Sequence, residues 1–239
     1  MAFRPSAGAR IYVGILSATA YARSASTNAS FVTHDTTTLA DRSRVFLLGQ
    51  NTSTFTIAGP LDTDATSNGQ YDAITDLQAS TAATPITYMP LGTDGAAWLI
   101  EAWQTSIDAD TSATSTANWA MAAQTTGIAD MNGVILSDAA ITADTDGSTI
   151  DNGAATTNGA VFHLHVTGYT GLTSDVIIVE GSGTGSFGGE ETTIATFTTV
   201  AGLTSQRLAV TGTVPRYLRV ADDVTGTGTC TRIVVASRR

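Results

Sequence analysis

In Ala160-Val161-Phe162-His163-Leu164-His165-Val166 two histidines stand two residues apart. On a strand that spacing brings both imidazoles to one face, as a metal-binding pair requires. No third ligand follows: Asp175 and Glu180 are the nearest acids, and the plain alternative is two surface imidazoles on the wet side of a half-buried strand. Further on, Gly183-Thr184-Gly185-Ser186-Phe187-Gly188 has the glycine spacing of a dinucleotide loop and follows a strand pattern. Where that motif needs a helix N-terminus to receive phosphate, this chain has Glu190 and Glu191, whose carboxylates repel it, so the segment reads as a turn. Asp144 with Asp146, Asp62 with Asp64 and Asp108 with Asp110 have the alternating carboxylates of a calcium loop. The position that needs glycine holds Thr149, Ser67 or Ala113, and the closing glutamate is replaced by Ala155, Ala73 or Trp119, so solvated loops are the simpler reading. There is no Gly-x-Ser-x-Gly, no Walker loop and no Cys-His constellation. No catalytic residue, cofactor or metal site is assigned, and a non-enzymatic protein is expected.

Charge is distributed unevenly. All 11 basic residues are arginine, five between Arg4 and Arg44 and six between Arg207 and Arg239, whereas 17 of the 21 acids fall between Val45 and Gln206. Basic ends and an acidic middle are complementary between copies of one chain, which nominates Arg4, Arg10, Arg23, Arg207, Arg216 and Arg219 as subunit contacts. Charged residues are only 13% of the chain, so Thr, Ser, Ala and Gly must clothe its surface. Such a surface, with strand edges on it, favours pairing with further copies. Cys230 is alone and excludes an internal disulfide. Arg4 and Arg10 ahead of Ile11–Leu16, with Ala20-Tyr21-Ala22 beyond, imitate a secretory leader, but the apolar run is weak and interrupted and the segment is expected to stay in the chain. No apolar stretch approaches the length of a membrane span.

Strands must position all of these residues. Ala160, Phe162, Leu164 and Val166 alternate with Val161, His163 and His165, the period of a strand with one core face and one wet face. Gly168 to Ser174 has turn chemistry, and Asp175 to Glu180 is apolar on both faces, as in a strand covered on both. Runs at 194–200, 206–211, 216–221 and 230–236 follow between Gly, Ser, Thr and Pro clusters, and together predict an antiparallel meander. Upstream, Ile11–Leu16 reads as a short strand or arm, and the Ser-, Thr- and Ala-rich 17–38 as a segment that must lie along something else. Val45–Leu48 and Thr54–Ala58 predict a hairpin about 49–53, with Phe55 and Ile57 on one side. Asn68, then Tyr71, Ile74 and Leu77, predict a capped helix, and 86–89, 97–104, 119–124 and 133–136 predict strands. The expectation is one all-β domain over 1–239 with one short helix, an N-terminal arm over 1–40 and extended loops at 108–118 and 138–158.

Three stretches are similar to a known family. Asp175-Val176-Ile177-Ile178-Val179-Glu180, then Glu190-Glu191-Thr192-Thr193-Ile194-Ala195-Thr196-Phe197, then Gln206 through Val220 with Thr213-Val214-Pro215-Arg216-Tyr217-Leu218-Arg219 resemble the C-terminal half of major tail proteins of long-tailed bacteriophages. Ser53-Thr54-Phe55-Thr56-Ile57-Ala58-Gly59-Pro60-Leu61-Asp62 resembles an early strand of the same family. The resemblance touches about two thirds of the chain, in short β-motifs. It implies an antiparallel β-barrel or sandwich that forms six-fold rings, stacked into a tail tube in the virion after assembly in the host cytoplasm. The partners it implies are the chain itself, other phage tail proteins and, transiently, the double-stranded DNA that passes through, with no membrane.

An acidic wall suits that duty, because it repels the DNA phosphates over about one Debye length, roughly 8 Å at physiological salt. Asp62, Asp64, Asp108, Asp110, Asp144 and Asp146 are the candidate lumen acids. A capsid decoration or tail-fibre module is an alternative of similar composition. A carbohydrate-binding β-sandwich is another, with Trp98, Trp103 and Trp119 as its candidate platform, although core packing is the better explanation of the indoles.

Overall fold

Threonine, valine and isoleucine lose side-chain freedom in a helix and fit a pleated surface, and this chain obeys that preference almost throughout. The computed structural model describes residues 8–38, 43–60, 82–94, 96–110, 117–127 and 129–239. Their strands are β1 (Arg10–Val13), β2 (Leu16–Ser17), β3 (Ser24–Asp35), β4 (Phe46–Pro60), β5 (Thr84–Met89), β6 (Ala97–Asp110) and β7 (Asn118–Thr125). They continue with β8 (Asp130–Ile141), β9 (Thr145–Asp146), β10 (Ile150–Asp151), β11 (Ala160–Ser182), β12 (Thr192–Thr196), β13 (Thr204–Val210) and β14 (Tyr217–Arg238). The fold is all-β. The helix expected from Asn68 lies outside the described residues. The chain divides into two compact units, Met1–Ala20 with Thr84–Ile100 and Asp130–Arg239, and Tyr21–Ala83 with Glu101–Ala129.

The larger unit is built on two long antiparallel strands, β11 and β14, paired from Ala160↔Arg238 to Ser182↔Tyr217. This corrects the expected meander. Gly168 to Ser174, read as a turn, runs through the middle of β11, and 225–229 runs through the middle of β14. The glycines are there because the two backbones touch. A Cβ on Gly228 would fall 1.9 Å from the Thr170 carbonyl oxygen, and Gly171 and Gly226 take φ of 75° and 101°. Register shifts at 166/168, 170/172 and 172/174 absorb the irregularity as bulges.

Short strands flank each long one. On β11, β13 pairs with 160–166 and β12 with 178–181; on β14, β8 pairs with 230–236, while β9 and β10 pair near its start. From β8 the sheet continues through the beginning of β6 to β5, β1 and β2. The segment 138–158, expected as one extended loop, therefore contributes the end of β8 and both short strands.

Period-two alternation sorts β11 into two cores. Phe162, Leu164 and Val166 join Val234, Ala236, Ile177, Val179 and Phe197 in one cluster, while Val161 joins Ile233, Val235, Leu99, Met89 and Tyr12 in the other. The face expected to be wet is buried, because β5 and the turn after β1 cover it: Thr87 and the Gly14 carbonyl hydrogen-bond directly to its histidines. Each fully buried Leu, Ile, Val or Phe contributes about 1.5–3 kcal/mol, so closing this second face is the larger unit's main gain over an open sheet.

The smaller unit is a four-stranded antiparallel sheet in the order β3, β4, β7 and the latter part of β6. The hairpin expected about 49–53 is replaced by one continuous strand, β4, and the polar 24–35 forms its neighbour β3. Phe55 and Ile57 do share a buried face, with Ala123 and Met121 opposite them and Trp119 buried beside Gly59. Of the expected 108–118 loop, 108–110 belong to β6 and Asn118 to β7, the ladder closing at Asp110↔Asn118, and 111–116 lie outside the described residues.

The close approach at Gly228 sets a test of the long ladder. Gly228→Ala must push Thr170 away and is expected to cost about 3 kcal/mol, read as a lowered denaturant midpoint. Gly202→Ala, with open space around it, should shift the midpoint little.

Candidate functional site

Most of the nominated arginines on the larger unit face carboxylates of their own chain. Arg10 on β1 pairs with Asp138 on β8 at 2.5 Å, and its guanidinium also lies over the Tyr12 ring. Arg216 makes a two-pronged pair with Asp151, both contacts 2.7 Å, and stacks on Tyr217. Together with the Gly153 amide, that pair holds the Asp151 carboxyl down at about 2, so it stays ionised. Arg219 donates to Glu180 at 2.7 Å, reaches Asp146 at 3.1 Å and lies over the Phe187 ring. A candidate contact arginine and a candidate lumen acid are thus partners in one chain. Arg207 stands opposite His163 in the β13–β11 register, and Arg23 is exposed just before β3. Arg4, Asp62 and Asp64 lie outside the described residues.

The remaining candidate acids are on the surface. Asp108 and Asp110 are exposed at the end of β6, one strand period apart. Asp144 is exposed and accepts the Val224 amide at 2.8 Å.

The histidines are not surface groups. His163, His165 and Thr87 are completely buried. His165 Nδ1 lies 2.7 Å from the Gly14 carbonyl oxygen, which can only accept, so Nδ1 carries the proton and donates. Its Nε2 must then accept from the Thr87 hydroxyl, 2.8 Å away, and that leaves Thr87 Oγ1 to accept from Nδ1–H of His163 at 3.2 Å. The Gly14 carbonyl therefore fixes the His165 tautomer, and the Thr87 hydroxyl passes the direction on to His163, joining β11, β5 and the turn after β1. Burial pushes the His165 imidazole down to about 4, and burial with the neighbouring His165 and Arg207 pushes His163 well below its usual value. Both rings are neutral and structural at pH 7, and among the described residues no group of three or more His, Cys, Asp or Glu could hold a metal ion.

The glycine loop after β11 is closed from within. The Ser182 and Thr184 hydroxyls donate to Glu190, the amides of Thr184 and Gly185 donate to Ser182 Oγ, and the Gly189 amide donates to Glu191. The place a phosphate would take holds the chain's own carboxylates.

One polar centre escaped the sequence reading. Arg232 on β14 makes a two-pronged pair with Asp222 ten residues earlier on the same strand, with both side chains 1% exposed. Asp175 on β11 is buried beside them; desolvation, followed by the Asp222 charge, raises its carboxyl to about 6, and burial raises the adjacent Cys230 thiol to about 12. The signal was present as an arginine inside the apolar run Cys230 to Ala236, since a charge on a buried strand must find a partner.

No family model matches the chain, and no curated protein is similar to it in sequence. Solved structures do show likeness. One is the tail of an empty GTA particle with C6 symmetry, at 19% identity and a TM-score of 0.39, covering 46% of this chain and 80% of that one. Another is the virion of the native gene transfer agent particle, at 18% identity and a TM-score of 0.44, covering 54% and 98%. A third is the Dit protein of phage SPP1, from the hub adsorption apparatus of phages that infect Gram-positive hosts, at 10% identity and a TM-score of 0.35, covering 96% and 98%.

The buried imidazoles set the acid response. Their folded pKa values lie below the unfolded 6.5, so the unfolded chain binds more protons, and stability present above pH 6.5 is lost as pH falls toward about 4. Asp175, raised to about 6, and Asp222, raised by burial, have the opposite sign and offset part of that loss. Between pH 7.5 and 5.5 the stability should therefore fall less steeply than the roughly 2.7 kcal/mol per pH unit that two histidines alone would give, read as the denaturant midpoint at each pH. His163→Gln should flatten that slope and Asp175→Asn should steepen it.

Proposed function

We propose that this chain is a structural subunit of a phage-type tail, associating through its strand edges into rings that stack as a tube. The observation that carries the reading is the free side of β3. Over 12 residues β3 pairs with β4 alone among the described residues, and from Ser24 to Thr33 it has no charged side chain and no proline. Isolated proteins protect such an edge with lysine, proline or a covering element. A second copy is the natural cover, and a ring of identical contacts leaves no edge open.

The surface composition and the resemblance of the 53–62 and 175–220 motifs support the same reading. In a tube, the exposed Asp144 would face the bore and help keep DNA from sticking, whereas Arg10, Arg216 and Arg219 would stiffen each subunit through the ion pairs described above. Trp119 is buried, so the three indoles do not form an exposed sugar platform.

Negative-stain imaging and sedimentation of the purified protein test the reading. Rings or tubes are the expected result; a lasting monomer at high concentration would overturn it, and discrete trimers would point to a decoration module instead. Asn28→Lys with Ala29→Lys, both exposed on β3, should reduce the sedimenting fraction at least about 10-fold while leaving the β-type circular dichroism unchanged.

A further inference from the structure

The last residues of β14 border a cleft of about 470 Å³, lined by Asn132, Asp151, Asn152, Thr156, Arg238 and Arg239 among others. Its charges are in unequal positions. Asp151 is neutralised by Arg216, and Arg239 is held by Asp130 through contacts of 2.8 and 3.0 Å. Arg238 has no carboxylate partner among the described residues. Its Nη1 donates to the Asn152 carbonyl at 3.3 Å and its Nη2 to the Ala154 carbonyl, while Nε is buried with no partner. A guanidinium has five N–H donors, so three remain unspent: the buried Nε–H and one each on Nη1 and Nη2, in a side chain that lines the cleft. Carbonyl dipoles orient the group without cancelling its charge. Burial without a compensating anion pulls the Arg238 pKa down, as expected of a cation lacking its counter-charge.

The contrast with Arg10, Arg216, Arg219, Arg232 and Arg239 is what makes the site informative. In a chain with 21 acids and 11 arginines, each of those five has a carboxylate. The donors that Arg238 leaves unspent belong to a planar, partly buried guanidinium, the group best suited to a carboxylate. The exposed Asp108 and Asp110 are the complementary group. They stand two residues apart on one face of β6 at its end, where 108–110 are all exposed.

We propose that the Arg238 cleft is an inter-subunit socket that receives a carboxylate of a second copy, from Asp108 or Asp110. This rests on the assembly reading above and names a contact within it. Salt should weaken the contact, and loss of either partner should cost more than loss of an exposed ion pair, because the guanidinium is already desolvated.

Charge reversal tests the socket. Arg238→Glu and the double variant Asp108→Arg, Asp110→Arg should each lower the sedimenting fraction at least about 10-fold at 50 mM salt. An equimolar mixture of the two should regain assembly, because each supplies the charge the other lacks. Arg238→Lys, which keeps the charge but not the planar fork, should assemble less than the wild type and more than Arg238→Glu, and circular dichroism and thermal melting verify that each variant is folded. Wild-type assembly with undiminished assembly of a folded Arg238→Glu would overturn the socket and leave the assembly reading standing. Failure of the mixture to recover would also overturn the pairing. If Arg238→Glu assembles normally but loses retention of double-stranded DNA, the cleft serves phosphate instead and the socket is likewise overturned. A wild-type protein that stays monomeric removes the assembly reading, and the socket with it.

Discussion

The ladder between β11 and β14 is the constraint on which the larger unit depends. Fully extended, a strand of 23 residues would reach about 75 Å, roughly twice the width of a domain of this size. Two such strands can share one compact unit only if they coil together, and straight pairing would prevent that. The bulges near Gly168, Gly171 and Thr173 are the device: each adds a residue on one side, raises the local twist and lets the pair bend without losing its hydrogen bonds. The outer strands follow from this frame. Where a long strand bends, its outer edge cannot be served by one straight neighbour, and it is served by two short ones, β13 and β12 on one side, β8 with β9 and β10 on the other.

Burying both faces of such a ladder brings polar groups inside, and the structure meets that cost locally. Thr87 joins two neutral imidazoles in a directed chain that ends on a main-chain carbonyl, so three segments distant in sequence are joined by three hydrogen bonds. Arg232 and Asp222 meet along a single strand, and Asp175 lies next to them as a carboxyl that resists ionisation. Polar groups of this kind add little net stability over an apolar core, but a slip of one residue would leave charges buried and unpaired. They act against wrong registers, which a Thr- and Val-rich ladder would otherwise tolerate.

The outside of the chain follows a different economy. Ion pairs on the larger unit, such as Arg216 with Asp151 and Arg219 with Glu180, spend most of its positive charge internally, and the acids left over carry the net charge of −10. β3, in contrast, has almost nothing charged on it and no strand on its far side among the described residues. A surface that is acidic in some places and bare of charge at a strand edge fits a subunit whose neighbours complete it, with the acids keeping other faces apart.

Residue types alone determined the strand class, since β-branched side chains and period-two alternation are local properties: the alternation from 160 to 166 and the shared face of Phe55 and Ile57 were both legible in the chain. The all-β class and most strand cores followed from them. What alternation cannot encode is whether a polar face meets water or another segment, so His163 and His165 read as surface groups until β5 and the Gly14 turn are placed over them. Nor can a glycine cluster say whether it turns the chain or lets two backbones pass closely, and so Gly168 to Ser174 looked like the end of a strand while forming its middle. The pairing of Arg232 with Asp222, and the lack of a carboxylate partner for Arg238 among the described residues, were decided by tertiary structure, because a charge has a counter-ion only when folding brings one within reach.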